Sequence, residues 1–196
     1  NDRPQDDVVI ADCGVLDSLP PIEPPADGDM DPDYPADADV PLKDNELIDA
    51  GERIRQIGNT HFKNGDCNAA IVKYEKAARY LSLVNKTSTT AAIVNEKLLA
   101  CHSNASMSYL KLGKWNDARH AAEQALAIDP SNSKALFRRG TAYLSSGDTE
   151  AAIVDLKRCH ELDPSNAECL AKLNEATELE KRQRAKLAAG FKKMFS

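Results

Sequence analysis

Asp129-Pro130-Ser131-Asn132 recurs as Asp163-Pro164-Ser165-Asn166, 34 positions further on, and that offset also separates Tyr109 from Tyr143 and Ala118 from Ala152. Working outward, the first copy is spaced differently: Ala70 precedes Ala118 by 48 positions, so about fourteen residues are inserted around Val84 to Asn95, with Thr87-Ser88-Thr89-Thr90 as the expected loop. From Asn45 onward proline is absent except at Pro130 and Pro164, and residues such as Ile54, Ile57, His61 and Phe62 fall at helical spacing, which predicts an all-helical body. Each unit has the logic of two packed antiparallel helices. Gly58, Ser106 and Gly140 allow close approach, His61, Tyr109 and Tyr143 wedge against a neighbouring helix, and Ala70, Ala118 and Ala152 sit at the crossing. Asn64-Gly65-Asp66, Gly113-Lys114 and Ser146-Gly147-Asp148 supply the reversals.

A period of about 34 resembles the tetratricopeptide repeat. The resemblance implies an all-α superhelix of three helix-turn-helix repeats within residues 45–165, at about 51–84, 99–132 and 133–166. A long C-terminal helix over 166–196 would close it, because a terminal repeat must cover its apolar face. Cys169, Leu170 and Leu173 are expected to dock that helix. Its second half carries Lys181-Arg182-Gln183-Arg184-Ala185-Lys186 and Lys192-Lys193, with Leu187, Phe191, Met194 and Phe195 as an apolar stripe. Such a helix suits calmodulin or another acidic surface, against the plainer reading of a solvated cap extension.

The net charge of −6 conceals two unlike halves. Residues 1–50 hold thirteen Asp and two Glu against Arg3 and Lys43, a net −13, whereas 51–196 hold 23 basic and 16 acidic residues, a net +7. The asymmetry points to contact between arm and body or to an acidic partner for the body; the alternative is a solvated linker beside a solvated surface. Cys13, Cys67, Cys101, Cys159 and Cys169 form an odd set with no close pair in sequence, as in a reduced, cytoplasmic protein. No apolar run of about 18 residues or secretory leader is present, so no membrane partner is expected. The acidic arm and scattered basic residues argue against nucleic acid. His61, His102, His120 and His160 make no i, i+4 pair, no Cys-x-x-Cys occurs, and no nucleophile stands beside a base, so neither metal, cofactor nor catalytic residue is expected.

The residues that suggest function lie on the first helix of each repeat, the helices that line the groove of such an array. Arg55 and Asn59 are four apart and share a face, as do Lys134 and Arg138, while Asn104 holds in its repeat the place that Arg138 holds in the next. Arginine can fork onto a carboxylate, lysine adds a compact charge, and two asparagines hold oxygens or a peptide amide without adding charge, a set suited to a peptide C-terminus. This set resembles the carboxylate clamp of chaperone-binding tetratricopeptide domains. It matches at Asn59, Asn104, Lys134 and Arg138, with Arg55 where that family usually has lysine. The resemblance implies binding of the Met-Glu-Glu-Val-Asp terminus of heat-shock protein 90, and of the related tail of heat-shock protein 70. Phe62 falls where the family often places an aromatic beside an apolar ligand side chain.

Asp7-Val8-Val9-Ile10-Ala11-Asp12-Cys13-Gly14 reads as one strand, which needs partners that nothing downstream provides. Pro20, Pro21, Pro24, Pro25, Pro32, Pro35 and Pro41 then punctuate an Asp-rich extended arm. Val8 to Leu16 resembles the final strand of a cyclophilin domain, and Asp33 to Val40 is similar to the acidic linker of cyclophilin-40-type immunophilins. The implied organisation is a strand remnant at 1–16, a linker at 17–44 and then the repeats, with the prolyl isomerase barrel lying upstream and no catalytic residue in this chain. A tetratricopeptide scaffold for other peptides, an isomerase in its own right and an immunophilin of the FK506-binding kind are the alternatives.

Overall fold

The computed structural model describes residues 25–38 and 40–194. The strand-like run at 7–14, the cyclophilin-like stretch from Val8 to Leu16, Cys13, the side chains of Lys192 and Lys193, and Phe195 lie outside the described residues.

Among the described residues seven α-helices follow one another: α1 (Asp44–Lys63), α2 (Cys67–Ser82), α3 (Ala91–Lys111), α4 (Trp115–Ile128), α5 (Ser133–Ser146), α6 (Thr149–Leu162) and α7 (Ala167–Met194). No strand occurs among the described residues. Each helix packs on the next, while α3 also touches α1 and α5, so the first helices of successive units lie side by side. The architecture is the expected one, tetratricopeptide-type helical repeats followed by a long C-terminal helix.

The repeated Asp-Pro-Ser-Asn element works as a stop and a start. Proline cannot continue a helix, and asparagine caps the next one: Asn132 Oδ1 accepts from Ala135 N (3.1 Å) ahead of α5, and Asn166 Oδ1 accepts from Cys169 N (3.0 Å) at the head of α7. Asp66 and Asp148 cap α2 and α6 in the same way. Gly147, at φ +90°, closes α5 in the left-handed conformation that glycine adopts without penalty.

Helix contact follows the small residues. A Cβ on Gly58 would lie 2.9 Å from the Tyr74 ring and one on Gly140 2.8 Å from Leu156 Cγ, whereas Ser106, at the corresponding place, donates its hydroxyl to Ala118 O at 2.8 Å. The inserted residues lengthen the end of α2 and the start of α3 and widen the connection between them. There Thr90 Oγ1 donates to Asn85 O (2.8 Å).

Buried apolar side chains form one cluster around Ile54, Tyr80, Leu81, Val94 and Cys101 and another around Leu136, Leu156, Cys159, Cys169 and Ala176. Cys159 and Cys169, distant enough in sequence to seem unrelated, are both fully buried free thiols in the second. The docking face of α7 differs from expectation at one position: Leu170 is 40% exposed, and Cys169, Leu173 and Ala176, at i, i+4 and i+7, make the contact.

The arm is not a free linker where it is described. It folds against α1 and α2, with a 3₁₀ turn at Pro35–Asp37. Asp29, its side chain 1% exposed, pairs with Lys73 (2.6 Å) and with buried Lys76 (2.8 Å). Asp27 pairs with Lys73 (2.6 Å), Asp31 with Arg53 (2.9 Å), and Tyr80 donates its hydroxyl to Pro32 O (2.6 Å). The hydrogen bond from Lys73 holds the Asp27 carboxyl down at about 2. Burial pushes Asp29 upward, but Lys73 and Lys76 outweigh it and its pKa is lowered too.

Groups with depressed folded-state pKa contribute stability above their unfolded values and lose it as pH falls through the folded ones. Unfolding free energy is therefore expected to fall between about pH 4.5 and 2 as Asp27, Asp29 and, on α1, Glu52 take up protons. Urea unfolding at pH 6, 4 and 3 measures this, and Asp29→Asn should flatten the profile.

Candidate functional site

The groove helices carry a ladder of polar side chains. Asn104 Nδ2 on α3 donates to Asn59 Oδ1 on α1 at 3.1 Å, and the same oxygen accepts from the Tyr74 hydroxyl at 2.9 Å. Tyr74, 1% exposed, belongs to the outer helix α2 and reaches between α1 and α3 to fix the Asn59 amide. Burial pushes its phenol up to about 12, against the pull of Arg55 and Arg138, so it remains a donor at neutral pH. Two turns along α1 and α3, Glu52 Oε2 accepts from Lys97 Nζ at 2.9 Å, which makes a second rung with the same spacing as Asn59 to Asn104.

Arg138 on α5 completes the set. Its guanidinium donates to Ser103 O (2.5 Å) and to Ser103 Oγ, and burial lowers its pKa from the ordinary arginine value. It has no carboxylate partner among the described residues, whereas Arg139, its neighbour, is paired with Asp155 at 2.7 Å. Asn59, Phe62, Asn104 and Arg138 line one pocket of about 390 Å³ with Lys63, Tyr74, Met107 and Lys111. Lys111 Nζ sits 4.1 Å over the Phe62 ring, so the aromatic wall carries a cation at its rim.

Two of the sequence-read residues stand apart from that pocket. Arg55 does not line it: its Nε and one terminal nitrogen fork onto Glu52 (3.1 and 2.6 Å). Hydrogen bonds from Arg55 in turn hold the Glu52 carboxyl at about 2, so it is ionised at neutral pH. Lys134 is exposed one turn before Arg138 and has no ion or hydrogen-bond partner among the described residues. Glu52, Lys97, Met107 and Lys111 were missed, although each stands three or seven places from Arg55 or Asn104 and so falls on a readable helix face. Tyr74 and Ser103 leave no such signal.

Among the described residues no group of three or more His, Cys, Asp or Glu is placed to hold a metal, and no helix is long and apolar enough to cross a membrane. The far end of α7 is exposed, with Leu187 at 63% and Phe191 at 58%.

Residues 104–167 match the family profile described as tetratricopeptide repeat. Among solved structures, the C-terminal TPR-containing domain of a protein named as an FK506-binding protein of Plasmodium falciparum is 26% identical. That match covers 74% of this chain and 97% of that one at a TM-score of 0.70. The first TPR of Spaghetti (RPAP3), bound to the HSP90 peptide SRMEEVD, is 26% identical over 65% of this chain and 90% of that one, TM-score 0.55. The second TPR domain of human RPAP3, in complex with the HSP70 peptide SGPTIEEVD, is 28% identical over 63% and 92%, TM-score 0.52. The calmodulin expectation for α7 gains no support from these neighbours. The chain thus carries a tetratricopeptide-repeat domain structurally similar to those of an FK506-binding protein and of RPAP3.

Proposed function

We propose that this chain is the peptide-binding module of a co-chaperone, whose groove takes the free C-terminal carboxylate of the Met-Glu-Glu-Val-Asp tail of heat-shock protein 90 and of the related tail of heat-shock protein 70. The observation that carries the reading is Arg138: a half-buried guanidinium with no acidic partner among the described residues, beside the Asn59–Asn104 rung. An ionic group kept out of water without a counter-charge is costly unless a ligand supplies one. Asn59 and Asn104 offer their remaining amide groups to a peptide backbone or carboxylate, Lys134 adds charge at the rim, and the Phe62–Met107 wall receives an apolar side chain. Arg55 enters this scheme as a cation shared with Glu52, and it reaches a ligand only through its remaining N–H groups. The neighbours bound to HSP90 and HSP70 peptides support the choice of ligand.

Titration with the free-acid pentapeptide and with its C-terminal amide tests the reading. A charge-assisted hydrogen bond contributes about 1.5–3 kcal/mol, so the amide should bind about ten- to a hundredfold more weakly, and equal affinity would overturn the clamp.

On the resemblance of Val8 to Leu16, the parent is proposed to be a cytoplasmic immunophilin with a cyclophilin-type prolyl isomerase domain ahead of this chain. The FK506-binding kind is the rival, favoured by the Plasmodium falciparum neighbour. This chain itself should show no turnover in a proline-peptide assay. A tetratricopeptide scaffold for other peptides would bind acid and amide alike.

A further inference from the structure

Outside the groove, a dense set of charges lies where the arm meets α2. Lys73, Lys76 and Arg79 recur every third residue and share one helix face, while Asp27, Asp29, Asp31 and Asp33 recur every second residue of the arm. The two series meet in order. Asp27 and Asp29 reach Lys73, Asp29 also reaches Lys76, and Asp31 O accepts from Lys76 Nζ at 2.5 Å. Asp33 O accepts from Arg79 at 3.3 Å, and the Arg79 guanidinium lies 5.0 Å from the centre of the Tyr34 ring that follows. From α1, Arg53 takes Asp31, and His61 Nε2 lies 3.4 Å from Asp27. Lys76 is 3% exposed, so this is a built site and not a surface encounter.

The order of these pairs gives the contact a recognition pattern: an extended segment whose first three alternate aspartates are read by Lys73 and Lys76 of α2 and Arg53 of α1, and whose following aromatic is met by Arg79. We propose that this face of the first repeat is a receptor for extended aspartate-rich segments, and that residues 27–34 occupy it as an exchangeable ligand carried on the same chain. Tethering sets the arm at an effective concentration of roughly millimolar, so a segment from another protein binds only when the arm is neutralised or displaced. The arrangement also serves the groove. A body of net +7 that selects acidic tails would offer them a second address at Lys73, Lys76 and Arg79, and the arm fills it.

The test uses a peptide of residues 25–38 with both ends blocked, so that no terminal carboxylate is present and the groove reading is not at stake. It is titrated into the full wild-type chain and into the Asp27→Asn/Asp29→Asn/Asp31→Asn chain. The variant should bind one equivalent at least tenfold more tightly than wild type. That affinity should fall with added salt, be lost on further substitution of Lys73→Ala, and be indifferent to Arg138→Ala. Equal binding by wild type and variant, or none by a variant with wild-type helical circular dichroism, would overturn the proposal. If the triple variant loses helical signal, Asp27→Asn/Asp31→Asn, which keeps the buried Asp29–Lys76 pair, is titrated instead; no gain over wild type is then the overturning result.

Discussion

Arg138→Ala is expected to weaken binding of a free-acid Met-Glu-Glu-Val-Asp peptide by about 2–5 kcal/mol, while Lys134→Ala costs about 1 kcal/mol or less. The two residues share a helix face and were equal partners on sequence alone; their surroundings separate them. Arg138 is shielded by α3 and Tyr74, where a carboxylate that reaches it is desolvated and the attraction is little screened. Lys134 stands in water, and its contribution is that of an exposed pair. Removing Arg138 also removes its bonds to Ser103, but those join a guanidinium to a backbone carbonyl and a hydroxyl, so the fold should lose only about 1 kcal/mol. Calorimetric titration at two salt concentrations checks both numbers. Arg138→Ala should also erase most of the difference between the acid and its amide. An Arg138→Ala chain that binds within twofold of wild type would remove the clamp from the groove.

How much could be read in advance follows from the range of each signal. The Asp-Pro-Ser-Asn repeats, Gly58 and Gly140 act through their own backbone and the next helix, so period and element type were legible. That Asn104 and Arg138 stand on neighbouring helices was legible as well, because their offset of 34 is the repeat length; Asn59, 45 positions before Asn104, lies outside that fixed offset, and only its helix face shared with Arg55 pointed to it. What escaped depends on side chains that cross between helices. Tyr74 looks like a core residue of α2 until its hydroxyl is seen on Asn59. Glu52 lies three places before Arg55, a readable i, i+3 pair, yet only the structure reveals that Lys97 on α3 shares it. The arm shows the opposite failure. Its composition argues for an extended, solvated chain, and the charge asymmetry left intramolecular contact as one reading among several. Composition cannot register that Asp27, Asp29 and Asp31 meet Lys73, Lys76 and Arg53.

Arg139→Ala should give the complementary result, a loss of stability of about 3–5 kcal/mol with peptide affinity unchanged in the folded protein. One residue along α5 from Arg138, it is rotated by about 100° away from the groove and toward α6. There it forks onto Asp155 through two 2.7 Å bonds. Asp155 belongs to the outer helix α6, yet its side chain is 5% exposed and lies against the glycine at which α5 and α6 cross. Gly140 lets the helices approach so closely that a Cβ there would meet Leu156 at 2.8 Å and Asp155 at 3.3 Å, and water is excluded from the carboxylate by the same approach. Taking away the arginine leaves that anion buried without a partner, the case in which an ion pair has its largest effect. Asp155→Asn should then recover part of the loss in the Arg139→Ala background, because a neutral amide costs less to bury than an orphaned charge. Urea unfolding of the two single variants and the double variant forms the cycle, and titration of Arg139→Ala well below its melting temperature reports the groove. Stability within about 0.5 kcal/mol of wild type would show that Asp155 finds water or another donor. Lost affinity in a folded Arg139→Ala chain would mean that α5 presents both arginines to the ligand.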